Sequence, residues 1–300
     1  MLRIKYNSDL ENIYYEIIAN KKMQKFKNIT FENYYNRYVK NKLSGYSLKD
    51  ILCSDFEELL KIKNKIGTRY SSQTNIIKQF FNYDKNNKKI KISKFQPKIS
   101  KFVEKNIEVH TCYYCNIDFI NKFKTLENKT KNAFTLDHVI NKATYPYLAL
   151  SLYNLVPCCS TCNSKVKGKK DIKDLSPTDK NFDFEERVKF KTFLNNGNLQ
   201  IDEEKDFDLF LKEDFSSVYD RYIEVLNLDK RYEYHKDKVI EMINKRRDYP
   251  DSRIKELSLL TQKTQEEVKQ DLFGKYMDSN LFKEPLSKLI KDISEELWLI

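Results

Sequence analysis

FTLDHVINKATYPYLALSLYNLVPCCSTCNSKVKGKK, residues 134–170, carries a Cys-x-x-Cys pair at Cys159 and Cys162, and a matching pair, Cys112-Tyr-Tyr-Cys115, lies ahead of it. Two such knuckles are what a tetrahedral zinc site requires, because each supplies two thiolates from one tight turn. The 43 residues separating Cys115 from Cys159 exceed an ordinary zinc-ribbon loop, so the intervening segment must hold structure of its own. Cys158 could replace Cys159 through a three-residue gap, but the two-residue gap matches the partner knuckle. Cys158 is then a core thiol.

Outward from this stretch the chain changes character. Upstream, residues 1–105 read as helices: Leu10, Ile13, Tyr14, Ile17 and Ile18 share one helical face, and Phe56, Leu59, Leu60 and Ile62 continue the pattern. Asp9 and Ser47 are placed to cap two of these helices. In the middle, residues 107–115 (IEVHTCYYC) and 132–140 (NAFTLDHVI) are short and rich in β-formers. Beyond Leu175-Ser176-Pro177 the pattern is helical again, with Tyr219, Tyr222, Ile223 and Leu226 on one stripe. A last helix opens at Pro285, with Leu289, Ile290 and Ile293 along one side. The expected fold is mainly α with a small α+β insert: a helical region 1–105, a module 106–178 and a helical region 179–300.

Composition narrows the function classes. The 300 residues include 55 Lys and Arg against 44 Asp and Glu, a net charge of +11, and 40% are hydrophobic. That supplies a sizeable core and excludes a wholly disordered chain. No stretch approaches the ~18 uncharged apolar residues of a membrane span, so a soluble chain with no membrane partner is expected. The first residues, MLRIKYNSDLENIYYEII, carry acids and no small-residue cleavage site, and do not read as a signal peptide. Cysteines spaced for metal rather than for disulfides point to the cytoplasm.

Scarce glycine with abundant Lys, Asn, Ile, Tyr and Phe is the mark of AT-rich codons, so local clusters of charge say more than the net value. Eight lysines lie between Lys85 and Lys105 against the single acid Glu104, and Lys165, Lys167, Lys169, Lys170 and Lys173 follow the second cysteine pair.

The ordered set Cys-x-x-Cys, Asp137-His138, Asn154-Leu155, Cys159-x-x-Cys162-Asn163 and Lys-Gly resembles the zinc-containing HNH endonucleases of the ββα-metal nuclease superfamily, over about residues 108–170. Sixteen positions separate His138 from Asn154, and nine separate Asn154 from Asn163. The resemblance implies a ββα module with structural Zn²⁺ on Cys112, Cys115, Cys159 and Cys162. It implies His138 as general base, and Asp137 and Asn163 as ligands of a catalytic Mg²⁺ or Mn²⁺. Asn154, the middle member of the triplet, would hold the loop and orient His138.

One departure from the family is plain. The Lys-Gly pair that follows Cys-Asn is displaced, since the run is Asn163-Ser-Lys-Val-Lys167-Gly168. Stand-alone relatives with helical flanks resemble effectors of bacterial restriction and antiphage defence, often encoded beside an ATPase, which makes an ATPase the partner to look for.

The chemistry of the residues supports these roles. Phosphodiester hydrolysis needs an activated water, a cation for the developing charge and a positioned phosphate. A neutral histidine can accept a proton from water, and carboxylate and amide oxygens suit a hard, hydrated cation. Lys165, Lys167, Lys169 and Lys170 lie on or just after the helix expected to carry Asn163, and are expected to face the phosphate backbone of DNA. Asp137→Ala is expected to leave folding nearly intact. No helix-turn-helix, homeodomain or zinc-finger array marks either flank. A second function class stays open on sequence, a zinc-containing nucleic-acid-binding protein without hydrolytic activity. RNA as substrate, nicking against double-strand cutting, and oligomeric state stay open too.

Overall fold

Short polar side chains set where the N-terminal helices begin. The computed structural model describes residues 1, 3–23, 29–72, 75–85, 94–195, 201–213, 216–273 and 283–298. Lys88, Lys89 and Lys91 of the first lysine cluster lie outside the described residues. Helix α1 (Ser8–Ala19) is capped by Asn7, whose side chain accepts the Leu10 N–H at 2.9 Å. The cap is therefore Asn7 and not Asp9, which instead lies in the first turn, where its charge complements the helix dipole.

Thr30 and Asp55 cap α2 (Phe31–Tyr38) and α4 (Phe56–Ile66), and Ser47 caps α3 (Leu48–Cys53) in a reciprocal box with Asp50. Helices α5 (Ile76–Phe80) and α6 (Gln96–Asn106) complete the set. In α4, Phe56, Leu59, Ile62 and Ile66 are buried. In α1 the buried face is narrower than its apolar pattern, since Tyr14 and Ile18 are covered but Ile13 is 45% exposed. An aromatic cluster of Phe31, Phe80, Phe81 and Phe95 fills the core, with Phe31 stacked on Phe80 at 3.9 Å between centroids.

The chain is mainly α, and among the described residues its strands form three two-stranded antiparallel sheets. It divides into two compact units, one of residues 3–114 and 120–182, the other of residues 1–2, 115–119 and 183–300.

The first unit holds α1–α6, strands β1 (Lys122–Lys124), β2 (Thr130–Asn132), β3 (Thr135–His138) and β4 (Leu155–Cys158), and a helix over Thr161–Lys167. β3 and β4 pair with Asp137 opposite Val156 and His138 opposite Leu155. Together with the helix that follows, they form the ββα unit. The connection between the strands is pinned from outside: Tyr14 donates its hydroxyl to the Leu150 carbonyl at 2.7 Å, and Tyr147 donates to the Gly67 carbonyl at 3.0 Å. Residues 107–115, rich in β-formers, contain no named strand, because the first cysteine knuckle turns the backbone there.

The second unit corrects the expectation of a purely helical region after residue 179. After α7 (Phe184–Arg187) comes a hairpin of β5 (Val188–Leu194) and β6 (Phe207–Glu213). Alternation explains it: Phe207, Leu209 and Leu211 face inward while Asp208, Phe210 and Lys212 face solvent, a period of two that no helix can bury on one side. Helices α8 (Asp220–Leu226), α9 (Leu228–Tyr232), α10 (Lys236–Asp248), α11 (Asp251–Thr261), α12 (Gln265–Phe273) and α13 (Ser287–Glu296) follow. α13 begins two residues after Pro285 and packs on β5. Among the described residues no helix is long and apolar enough to cross a membrane.

Candidate active site

Cys112, Cys115, Cys159 and Cys162 are all buried, and their sulfurs lie within 4.8 Å of one another. A tetrahedral zinc with Zn–S bonds of ~2.3 Å sets its sulfurs ~3.8 Å apart, so the cluster fits that ion after a small contraction. Backbone N–H groups are directed at three of the sulfurs, an arrangement that steadies metal-bound thiolates. The Cys159 N–H points at Cys112 Sγ (3.3 Å), the Cys162 N–H at Cys159 Sγ (3.3 Å) and the Ile117 N–H at Cys115 Sγ (3.4 Å). The Arg231 guanidinium also donates to Cys115 Sγ at 3.4 Å. Cys158 is excluded from the cluster. Its sulfur donates to the Thr135 carbonyl at 3.8 Å, and burial raises its thiol pKa well above the ordinary value, as expected of an inert core thiol.

Strand alternation sends Thr135 and Asp137 to one face of β3. Asp137 Oδ2 accepts a hydrogen bond from the Tyr114 hydroxyl at 2.7 Å and an ion pair from Lys167 Nζ at 2.8 Å. Asn163 Nδ2 donates to Thr135 Oγ1 at 3.0 Å, which commits the amide nitrogen and leaves the amide oxygen as a donor for a cation.

The helix that carries Asn163 is wound as a π-helix. The Gly168 N–H bonds the Asn163 carbonyl five residues back at 3.0 Å, and Gly168 leaves the helix at φ 53°. The wider turn carries Lys167 inward, where its side chain is only 3% exposed and also reaches the His138 carbonyl at 3.4 Å. The four lysines therefore do not form one exposed face. Lys165, Lys169 and Lys170 are exposed and Lys167 is not. The ion pair also revises the expectation for Asp137→Ala, which would strand a buried ammonium and cost about 3–5 kcal/mol.

His138, on the other face of β3, is buried with Tyr83 edge-on at 4.9 Å. Its Nε2 lies 3.0 Å from the Ala149 carbonyl. A carbonyl only accepts, so Nε2 carries the proton and Nδ1 keeps a free lone pair. Burial, helped by the nearby Lys142 charge, lowers the His138 pKa to about 4, against the upward pull of the Ala149 carbonyl, Asp137 and Asp84. The ring is neutral at physiological pH.

Asn154 is fully buried and straps the loop after β3. Its Oδ1 accepts the Ile140 N–H at 2.6 Å, and its Nδ2 donates to the carbonyls of Ile140 (3.0 Å) and Leu148 (2.9 Å). Leu148 adjoins Ala149, the residue that fixes the His138 ring. Asn154→Ala removes three buried hydrogen bonds at about 1 kcal/mol each. Urea unfolding should show a loss of roughly 2–4 kcal/mol. A loss below about 0.5 kcal/mol would mean that the loop is held by other contacts.

Asp137, His138, Asn163 and Lys167 line one cavity of about 450 Å³, with Lys63, Lys142, Lys169 and Lys170 around them. Lys63 pairs with Asp174 at 2.7 Å and Lys142 with Asp84 at 2.6 Å. Lys165 is not among the lining residues. Sequence reasoning did not single out Lys63, Lys142, Tyr83 or Tyr114. Tyr114 sits inside the first knuckle, and nothing in its local sequence announces a bond to a residue 23 positions away. The second lysine pair of the cavity comes from α4 and the loop after β3, elements that meet only in the folded unit.

Residues 112–169 match the family model described as HNH endonuclease. No curated protein and no solved structure gives a significant match to the chain. The matched segment starts at the first knuckle cysteine and ends just past the π-helix, so it takes in the whole ββα unit and all four clustered sulfurs. This part of the chain is an HNH endonuclease module of the zinc-knuckle kind.

Proposed function

We propose that the protein is a divalent-metal-dependent endonuclease that hydrolyses phosphodiester bonds of DNA. One observation carries this reading: a histidine kept neutral by burial and aimed by a backbone carbonyl lines the same cavity as a carboxylate, an amide oxygen and several lysines. Asp137 and the Asn163 amide oxygen would hold Mg²⁺ or Mn²⁺, whose charge would offset the charge that builds on the phosphate. His138 takes the proton of the attacking water at Nδ1, while the bond from Nε2 to the Ala149 carbonyl keeps the ring aimed. Tyr114 holds one oxygen of Asp137 and leaves the other for the cation.

Nicking of supercoiled plasmid that requires Mg²⁺ or Mn²⁺, and that is lost in His138→Ala, is the expected result. Retained zinc and DNA binding with no nicking under any divalent metal would instead identify a binding module.

The exposed lysines are proposed to supply affinity without sequence reading, since a flexible point charge suits phosphate and not the bidentate reading of a base. Changing Lys169 and Lys170 together to Ala should weaken binding to unrelated duplexes alike and flatten the slope of log affinity against log salt by ~1–2 units. Lys165→Ala, outside the cavity, should change that slope less. Gel-shift titrations at several salt concentrations would read both. An unchanged slope in the double variant would mark these lysines as a solvated face only.

A further inference from the structure

The Asp137 carboxylate is already neutralised before any divalent ion arrives. Lys167 Nζ lies 2.8 Å from its Oδ2, with the two side chains 3% and 6% exposed. This contact exists because the π-helix brings Lys167 inward and Gly168 turns the chain away directly after it. Lys167 has a second partner in the His138 carbonyl at 3.4 Å, so it is fixed between the two residues of the Asp-His pair and is not a loose surface charge. The Tyr114 hydroxyl occupies the same carboxylate oxygen. A divalent ion that binds this carboxylate enters next to a buried ammonium, and like charges at such range repel strongly where water is scarce.

We propose that Lys167 is an internal counter-ion that opposes divalent-metal binding in the free protein, and that an incoming phosphate relieves this opposition by drawing the ammonium toward itself. Metal and nucleic acid then bind as a coupled pair, each tightening the other by the same factor. The role is one of positioning and charge control: Lys167 sets when the metal binds. The inference rests on the metal-dependent reading of the site given above.

Mn²⁺ binding tests it, followed by the electron paramagnetic resonance signal of the free ion on full-length, zinc-loaded protein. All proteins carry His138→Ala, so that an added short duplex stays intact. Without duplex, Lys167→Gln, which keeps a hydrogen-bond donor and removes the charge, should bind Mn²⁺ ~10-fold or more tightly than the parent. Adding duplex should tighten Mn²⁺ binding in the parent by ~10-fold and in Lys167→Gln by much less.

Lys167→Arg preserves the ion pair and should bind Mn²⁺ no more tightly than the parent, a comparison that survives even if the Gln variant fails to fold. Equal or weaker Mn²⁺ binding in Lys167→Gln, or tighter binding in Lys167→Arg, would overturn the counter-ion role. If the parent binds Mn²⁺ and the wild-type protein nicks plasmid, such a result leaves the nuclease reading standing. If no protein binds Mn²⁺ with or without duplex, both readings fall together.

Discussion

His138→Ala should lower the cleavage rate by on the order of 10²–10⁴-fold while leaving DNA affinity near that of the wild type. The second half of this expectation follows from charge. Burial holds the His138 pKa at about 4, so the side chain contributes no positive charge at neutral pH, and removing it takes nothing from the attraction for phosphate. The pH profile supplies a sharper test. A base acts only while unprotonated, so the wild-type rate should fall as pH drops through the folded-state pKa and be flat above it. With that pKa lowered from 6.5 to about 4, the rate should be level from pH 6 to 8 and decline only toward pH 4.

Stability has the same sign. The unfolded chain binds the proton first, so stability is fully present above pH 6.5 and drains away as pH falls toward 4, by about 3 kcal/mol for this one group. A rate that inflects near pH 6.5 or above, or a His138→Ala variant with near-normal rates, would place the base elsewhere. His110 is the next histidine to test, although it lines a different cavity.

Loss of the metal from the four-cysteine cluster should cause the largest change in stability. Zinc bound by structural thiolate sites contributes about 10–16 kcal/mol in finger peptides, and that binding energy is folding energy. The cluster joins the first knuckle to the end of β4 and the start of the π-helix, so its release frees the ends of the ββα unit. Cys112→Ser or Cys162→Ser should yield protein that is insoluble or melts more than 10 °C lower by circular dichroism, a shift that ~6 kcal/mol would already produce in a chain of this length. Purified wild-type protein should retain about one zinc per chain after EDTA treatment, by metal analysis. Cys158→Ser tests the assignment from the other side, because it should keep the zinc and lose only core packing. Zinc content unaffected by Cys162→Ser would show that the cluster is not the zinc site.

What the sequence made legible was whatever local spacing encodes. Two knuckles with their gaps, and the ordered Asp137-His138, Asn154 and Asn163, sufficed for the module and for choosing Cys159 over Cys158. Residues that act through tertiary contact were hidden. Tyr114, Tyr83 and Lys63 come from separate segments of the first unit, and no periodicity ties them to β3. The hairpin of β5 and β6 was encoded in its alternation, but alternate lysines with aromatics in Val188–Leu194 resemble a solvated helix when read by composition alone. Helix starts show the same limit on a smaller scale. Asn7 and Asp9 are both good caps, and only the hydrogen bond to Leu10 decides between them.

The π-helix also bears on what a change in chain length would do at Lys167. The Asn163 carbonyl is bonded five residues on, by the Gly168 N–H, so removing one residue between them would restore the ordinary four-residue closure of an α-helix. Lys167, among the least exposed charges of the described residues, would then be turned away from Asp137. The winding is thus a heritable unit of chemistry: one codon lost would remove the partner of a buried carboxylate while every named motif residue stayed in place.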